Sequence, residues 1–445
     1  MIKLPRYLHS KIMADLQRRH PFAGERIGFL LCRRLSVGSK NIFLGFDYRP
    51  VHDGDYIADA TVGARINGNA IRKAMGHAVE YGCSVFHVHT HGGGSVPRPS
   101  GTDLAECPGI ARSIHNAFPK MPHGWLILGQ EGVFAEVHAA DSVLSRFSGM
   151  GLVGLPMFVP PKRPLTMGIF QRIRLPKFSE RYGRQGFLGK EAERRIANTR
   201  VGIVGLGGGG SHVVQQLAHL GFQRYVLCDP DRVECSNLNR LVGATEKDTR
   251  RRRLKVEVAS RQVKALHAIS EIRAHPDRWQ SCMRDIAECD LVIGCLDSFE
   301  QRDALEAHCR RHYIPYVDIG MEVRGGERGR HEIYGQVVLS LPGNACLQCA
   351  NVVTEETLGR EVQDYGQAGP QPQVIWPNGV LASTAVGHCV SLVTGWSPVT
   401  SLPVRLDYVG SSGCLVESEI WKSLRSIRCP HYPLGQAGDP IFHPI

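Results

Sequence analysis

Apolar residues in the first third of the chain fall in short blocks at 27–33, 41–46, 83–89 and 125–128, each of strand length and each bounded by polar or turn-forming residues. Between the second and third blocks, residues 67–80 carry apolar positions at helical spacing. Short strands around one helix predict an α+β domain. Further along, the order changes. Strands are expected at 201–204, 225–228, 291–295 and 314–319, with helices at 211–220 and 254–266. Strands alternating with helices predict an α/β parallel sheet covered by helices. Between the two patterns lie Pro160, Pro161, Pro164 and a basic patch at 172–177, with few apolar anchors. The expected organisation is one domain over 1–155, a linker over 156–178 and a second domain over 179–445.

Composition narrows the class. A chain of 445 residues with 42% hydrophobic and 21% charged residues suits two or three globular domains and excludes a largely disordered polymer. The longest apolar patch, 150–159, is broken by Gly151, Gly154 and Pro156. It falls far short of the roughly 20 residues a membrane-spanning helix needs. The first residues lack an apolar signal core, so a cytoplasmic location is expected. Lys and Arg outnumber Asp and Glu by 53 to 42, a net charge of +11. Nucleotide phosphates or an acidic protein partner account for that excess as well as nucleic acid does. The four arginines from Arg250 to Arg253 have no stacking aromatic motif beside them, so nucleic-acid binding is not expected. Most of the 14 cysteines, such as Cys32, Cys83, Cys228 and Cys295, sit in apolar runs and read as reduced core residues.

Three histidines alternate at His87, His89 and His91, with Ser100 and Asp103 following. Alternation places the imidazoles on one face of an extended strand. Two imidazoles and a carboxylate leave zinc an open position, the layout of a catalytic site whose bound water is acidified to a pKa near about 7. The pattern H-x-H, a short loop, then S-x-x-D resembles the JAB (JAMM, MPN-type) metalloprotease family, over roughly residues 20–140. The resemblance implies that His89, His91 and Asp103 hold zinc and that Ser100 steadies the tetrahedral intermediate. It also makes Glu25, just ahead of an early strand, the general base. The loop from His91 to Ser100 is one residue longer than the family's usual spacing, and His87 stands as an alternative ligand.

In the second half, a strand runs into Gly205-Leu206-Gly207-Gly208-Gly209-Gly210-Ser211 and then a helix, with Asp229 further on. Alone, this fits the dinucleotide fingerprint of an NAD-dependent oxidoreductase. Asn237, Arg240 and Lys255 add amide and cationic groups, and Asp297 closes a buried strand with a carboxylate. Several cations with one carboxylate suit a triphosphate and magnesium better than hydride transfer. These positions, with Arg181-Tyr182-Gly183-Arg184-Gln185, resemble the ThiF/MoeB-like adenylating domain of ubiquitin-activating enzymes over roughly 179–400. The resemblance implies ATP as cosubstrate, its phosphates against the glycine loop (Gly205, Gly207, Gly208, Gly210), Asn237, Arg240 and Lys255. It implies that Asp229 binds ribose, that Asp297 holds Mg2+, and that Arg184 reaches a partner subunit's site in a homodimer.

Cys346 and Cys349 form a C-x-x-C knuckle. The family completes such a knuckle with a second C-x-x-C near the C-terminus; here Cys429 is present, Tyr432 takes the last position, and His431 is available as fourth zinc ligand. From Ala350 to His388 there is no cysteine, and Cys389 lies in an apolar run, so the thioester-forming cysteine of the family has no counterpart in its usual loop. Together the two resemblances imply a fusion of two enzymes in a bacterial ubiquitin-like system with one shared substrate, a ubiquitin-like or sulfur-carrier protein ending in Gly-Gly. One half would cut after Gly-Gly and the other would adenylate the freed carboxylate. An antiviral conjugation operon with a conjugating enzyme is one context; sulfur-carrier activation to a thiocarboxylate is the alternative. A scaffold with an inactive first half is the alternative of another class.

Overall fold

The computed structural model describes residues 1–19, 23–37, 40–59, 61–91, 97–130, 132–138, 145–147, 149–154, 157, 180–189, 191–325, 331–364, 372–399 and 401–438. The expected linker, 156–178, lies outside these residues apart from Met157. The chain divides into two compact units, Met1–Gly154 with Pro433–Pro444, and Leu155–Tyr432 with Ile445. The described residues Pro433–Gly438 thus group with the first unit, whereas the sequence pattern assigned everything after 178 to the second.

The first unit contains β1 (Ile2–Pro5), α1 (Arg6–Leu16), β2 (Gly28–Val37), β3 (Lys40–Pro50), α2 (Gly68–Tyr81), β4 (Ser84–His89), α3 (Gly101–Ala117), β5 (His123–Leu128), β6 (Val133–His138), β7 (Ser145–Phe147) and β8 (Met150–Val153). They form one mixed sheet in the order β7-β6-β5-β4-β2-β3-β1-β8. The long β2–β3 pair is antiparallel, as is β2–β4, while β4 and β5 run parallel. A parallel neighbour requires a crossover, and α3 supplies it. Helix α2 starts where the Asn67 side chain accepts the amides of Asn69 and Ala70 at 2.9 and 3.2 Å. It stops at Gly82, whose φ of 55° suits a residue without a Cβ. Ala70, Ala74 and Ala78 form its buried face, and their small size lets the helix lie close to the sheet.

The second unit contains α4 (Ala192–Asn198), β9 (Arg200–Val204), α5 (Gly208–Leu220), β10 (Arg224–Cys228), α6 (Glu246–Arg250), α7 (Lys255–Leu266), β11 (Glu271–His275), α8 (Met283–Ala287), β12 (Leu291–Gly294), α9 (Phe299–Arg311), β13 (Tyr316–Gly325), β14 (His331–Ser340), α10 (Glu355–Asp364), α11 (Ile375–Thr394), β15 (Arg405–Val409), β16 (Cys414–Val416) and α12 (Glu419–Ser423). Strand order is β11-β10-β9-β12-β13-β14-β15-β16. The first five strands are parallel and the rest antiparallel. From β9 the chain moves outward to β10 and β11, then returns to place β12 on β9's other side. Strand order reverses there, and ligands of open α/β sheets bind at that crevice. Helices α5 and α11 pack over the sheet through Val213, Val214, Leu217, Leu381, Ala385 and Cys389.

Two ion pairs are buried among the described residues of this unit, Arg310–Glu306 and Arg302–Asp318. Arg302 on α9 donates through Nε and Nη2 to Asp318 on β13, and the Tyr316 hydroxyl donates to Asp318 at 2.9 Å. Both charges are almost completely shielded from solvent. Removing one leaves the other unpaired in a low-dielectric interior. Asp318→Ala is therefore expected to destabilise the second unit by about 3–5 kcal/mol, read from denaturant unfolding, while Asp318→Leu with Arg302→Met should recover most of that loss.

Candidate functional site

In the second unit the crevice is built from the C-terminal ends of β9, β10 and β12. The Gly205 amide bonds the carbonyl of Cys228 at 2.9 Å and the Cys295 amide bonds that of Val204 at 2.8 Å, tying β9's end to both neighbours. Gly205 has φ of 86°, and a Cβ there would strike the Cys295 carbonyl. A Cβ on Gly210 would strike the Gly205 carbonyl. These glycines let the loop fold back on itself and let α5 begin directly at its end. Gly207 caps that helix without a side chain, so the helix's first amides remain available to an anion.

Asp229 connects the loops around this opening. Its Oδ2 accepts the Leu206 amide at 2.6 Å and its Oδ1 the Asp231 amide at 2.8 Å. Burial raises its pKa above the ordinary carboxylate value, against the pull of Lys255 and the two amides. Lys255 Nζ lies 3.8 Å from Asp229 and 2.7 Å from Asp231. The expected phosphate ligand is thus paired with Asp231, a residue the sequence pattern did not single out. Asn237 accepts the Glu234 amide at 3.2 Å, and Arg240 donates to the Ser236 carbonyl at 2.7 Å, so both brace the turn at Cys235–Asn237. That segment is joined to the glycine loop's helix by the Val242 amide, 3.0 Å from Ser211 Oγ. Asp297 is exposed beyond β12, and Arg184 is exposed on the turn Glu180–Leu188. The donor set fits a nucleotide triphosphate: free helix amides, nearby cations, and one carboxylate of the kind magnesium takes alongside phosphate oxygens.

In the first unit, β4 ends at His89 and α3 begins beyond Ser100, bringing His89, His91 and Asp103 together. His89 Nε2 and His91 Nε2 lie 3.2 Å apart. Asp103 Oδ1 is 3.1 Å from His89 Nε2, and Oδ2 is 3.2 Å from His91 Nε2. A tetrahedral zinc with bonds near 2.0–2.1 Å separates its ligand atoms by about 3.3–3.4 Å. The two nitrogens and the Asp103 carboxylate, one oxygen facing each imidazole, therefore stand near the ligand spacing of such a site. Glu25 Oε1 stands 3.9 Å from His91 Nε2, at the edge of a cavity of about 520 Å³ that all these residues line.

Asp103 also belongs to a capping box. Ser100 donates to its Oδ2 through both amide and hydroxyl, each at 2.7 Å, and its own Oγ accepts the Asp103 amide at 3.2 Å. Burial pulls the Asp103 pKa upward, but His89 and the Ser100 donors outweigh it and hold the carboxyl below the usual range. His87, the alternative ligand, is set back: its Nδ1 is 3.9 Å from Cys107 Sγ, and burial pushes its pKa down to about 3. Gly63 is a residue the sequence pattern missed. Its carbonyl accepts the Glu25 amide at 2.8 Å, and a Cβ there would lie 2.7 Å from the Glu25 carboxyl.

The third cluster draws Cys346, Cys349, Cys429 and His431 to within 4.8 Å of one another. Cys346 and Cys349 sulfurs are 3.6 Å apart, Cys349 and Cys429 3.9 Å. His431 Nδ1 is 3.3 Å from Cys346 Sγ and 3.4 Å from Cys349 Sγ. Tetrahedral zinc with Zn–S near 2.3 Å sets sulfurs about 3.8 Å apart. Three thiols and one imidazole at these spacings suit a closed structural zinc centre. Cys389 is fully buried on α11, and burial raises its pKa far above a thiol's ordinary value.

The family model for ThiF matches residues 180–420, more than half of the chain. The chain belongs to the ThiF family. Among curated relatives, the ubiquitin-like modifier-activating enzyme 5 of Drosophila willistoni is 28% identical over 188 residues, covering 38% of this chain and 44% of that protein. The Drosophila ananassae enzyme of the same name is 30% identical over 193 residues, covering 39% and 46%. The chain thus spans less than half the length of these relatives. A solved structure of E. coli MccB with MccA-N7isoASN is 21% identical with a TM-score of 0.47, covering 55% of this chain and 72% of that one. The ThiF match encloses the glycine loop, Asp229, Lys255, Asp297 and the C-x-x-C knuckle. No helix among the described residues is long and apolar enough to cross a membrane.

The loop geometry makes opposite demands on neighbouring glycines. Gly205→Ala combines a left-handed backbone with a carbonyl collision and is expected to cost at least about 1–2 kcal/mol of stability, with loss of any nucleotide-dependent rise in melting temperature. A Cβ on Gly207 meets no atom within 4 Å. Gly207→Ala should therefore melt within a degree or two of the parent chain.

Proposed function

We propose that this chain adenylates the C-terminal Gly-Gly of a ubiquitin-like protein and, through its first unit, cuts peptide bonds that follow Gly-Gly. The observation that carries the adenylating half is the joining of Asp229, the glycine loop and Lys255 at one sheet crevice, within the residues matched by ThiF. The named activity of the relatives supports a ubiquitin-like partner. In this account the free amides of α5 and the cations Lys255 and Arg240 take phosphate oxygens, Asn237 adds an amide, and Asp229 takes the ribose hydroxyls. Asp297 holds magnesium. The modifier's carboxylate attacks the α-phosphorus, the bond to the β-phosphate oxygen breaks, and pyrophosphate leaves. Catalysis is then positioning and charge stabilisation, with no protein nucleophile. Arg184 acts on the partner copy's phosphates in a homodimer.

In the first unit, His89, His91 and Asp103 would hold zinc, which when bound would supply Lewis acidity and an acidified water. Glu25 accepts the proton from the attacking water and passes it to the leaving amine. Ser100, whose hydroxyl now donates to Asp103, would turn that hydroxyl to the carbonyl oxygen as charge develops there. The JAB-type assignment rests on the distances among these five side chains. Both activities converge on the same Gly-Gly end, which supports a modifier system, with antiviral conjugation as one setting.

Thiocarboxylate formation on a sulfur carrier is the second reading, favoured by the cysteine pattern. A thioester needs an accessible thiolate. Cys389 is buried, Cys346, Cys349 and Cys429 form the metal cluster, and of the exposed thiols Cys235 shares its turn with the phosphate-binding Asn237 while Cys414 lies on the edge strand β16, five strands from β9. The enzyme accordingly stops at the adenylate, and an external thiol or sulfur donor takes the acyl group.

Three outcomes are expected. ATP–pyrophosphate exchange should require a modifier with a free Gly-Gly end and fall at least 100-fold in Lys255→Ala or Asp297→Ala; exchange driven without modifier would refute the assignment. Glu25→Ala should lose cleavage of Gly-Gly-extended substrates while keeping its metal, whereas His89→Ala should lose both, as measured by cleavage assays and elemental analysis. A non-reducing gel after incubation with ATP and modifier should show no thiol-sensitive adduct on this chain; an adduct abolished by Cys389→Ala would reverse that conclusion.

A further inference from the structure

The Cys3His cluster is assembled from two distant stretches, and a single helix face touches both. Asp303, Glu306 and Arg310 are spaced three and four residues apart on α9, so they share one side of it. Glu306 is completely buried. Its two carboxylate oxygens accept the Leu347 amide at 3.1 and 3.0 Å, in the middle of the C-x-x-C knuckle, and it also accepts the Ser340 hydroxyl. Arg310 pairs with Glu306 at 3.5 Å and donates to the carbonyls of Leu341, Asn344 and Ala345, the turn leading into Cys346. Asp303 accepts from Gln348 Nε2 at 3.2 Å, inside the knuckle.

The same face reaches the other stretch through Tyr432. The Tyr432 hydroxyl donates to Asp303 at 3.4 Å, and the Arg310 guanidinium lies 5.8 Å from the ring centroid. Tyr432 occupies the position where the resemblance would have a fourth cysteine. Here it is fastened to α9, and its neighbour His431 points Nδ1 at the two knuckle sulfurs.

We propose that the Asp303–Glu306–Arg310 face of α9 is a metal-independent template for the Cys3His centre, with Tyr432 as the clamp that delivers His431. The proposal rests on zinc occupying that cluster. Its physical content is pre-organisation. A buried carboxylate that already holds the Leu347 amide, and a guanidinium that already holds three carbonyls, keep the knuckle folded before the metal arrives. Ordering costs are then met on folding and not on binding. Groups that orient metal ligands in this way typically change affinity about 10–100-fold when altered.

The test uses the full chain carrying His91→Ala, so that zinc in the first unit does not contribute to the signal. Zinc affinity is measured by competition with a chromophoric chelator, and melting is recorded with and without zinc. Glu306→Gln, which keeps the side chain's shape, should weaken zinc about 10–100-fold. Tyr432→Phe, which keeps the ring over Arg310 and removes only the hydroxyl, should give a smaller loss that is absent in an Asp303→Ala background. If Glu306→Gln fails to fold, Ser340→Ala, which removes one donor to the same carboxylate, should still weaken zinc measurably. Equal melting losses with and without zinc, and affinities within twofold of the parent for all three variants, would reduce the face to an ordinary structural contact and overturn the proposal. Absence of zinc from the His91→Ala chain, with Cys346→Ser changing nothing, would instead refute the metal reading on which it rests.

Discussion

A helix leaves its first amides without intrahelical partners, and those donors must be met by something. Both units of this chain are organised by that constraint, and they meet it in opposite ways. At α3 the amides are met from within: Ser100 and Asp103 cap each other, and the same Asp103 carboxylate turns its remaining acceptor capacity toward His89 and His91. The cap therefore fixes the carboxylate where a cation would need it. At α5 no side chain caps the helix. Glycines at 205 and 210 bring the loop close to itself and leave no room there for a capping side chain. One helix start is closed by an acid; the other is left open.

The surrounding packing follows from these two junctions. In the first unit, α2 approaches through alanines and Ile27, just ahead of β2, enters the core, while the Glu25 amide bonds the Gly63 carbonyl. In the second, the reversal of strand order beside β9 brings Asp229 from one neighbour and the 295–297 turn from the other to the same opening. The buried Arg302–Asp318 pair and the Glu306–Arg310 network lie on α9, which leads away from that turn. The same helix thus anchors the sheet interior at one position and the Cys3His cluster at another.

Local chemistry was legible in the sequence, and long-range contact was not. The helix at 67–80 and the strand at 201–204 each depend on neighbours within a turn or two, and they appear near their expected positions as α2 and β9. Helix α5 begins at Gly208 where 211 was expected, because glycine's poor helix propensity hides a first turn that close packing requires. The antiparallel strands after β13 were passed over, since the pattern read there was that of a parallel α/β repeat. Helix α1 was also missed, although Leu8, Ile12 and Leu16 recur at helical spacing. The Glu306–Leu347 bond joins residues 41 positions apart, and Tyr432 meets Asp303 across 129. No spacing rule reaches that far, so the frame around the Cys3His cluster could be read only from the fold. Gly63 is similar: a glycine in a polar loop signals a turn, and its role against Glu25 exists only once the loop lies over the strand.

The central claim is that two sites on one chain act in sequence on a single Gly-Gly end. The most direct measurement is ATP–pyrophosphate exchange with a modifier that carries extra residues after Gly-Gly, compared with the same modifier already trimmed. The account predicts that the parent chain supports exchange with both, after a lag for the extended form, and that Glu25→Ala supports exchange only with the trimmed form. Exchange with the extended modifier in Glu25→Ala, at the parent rate and without a lag, would contradict it.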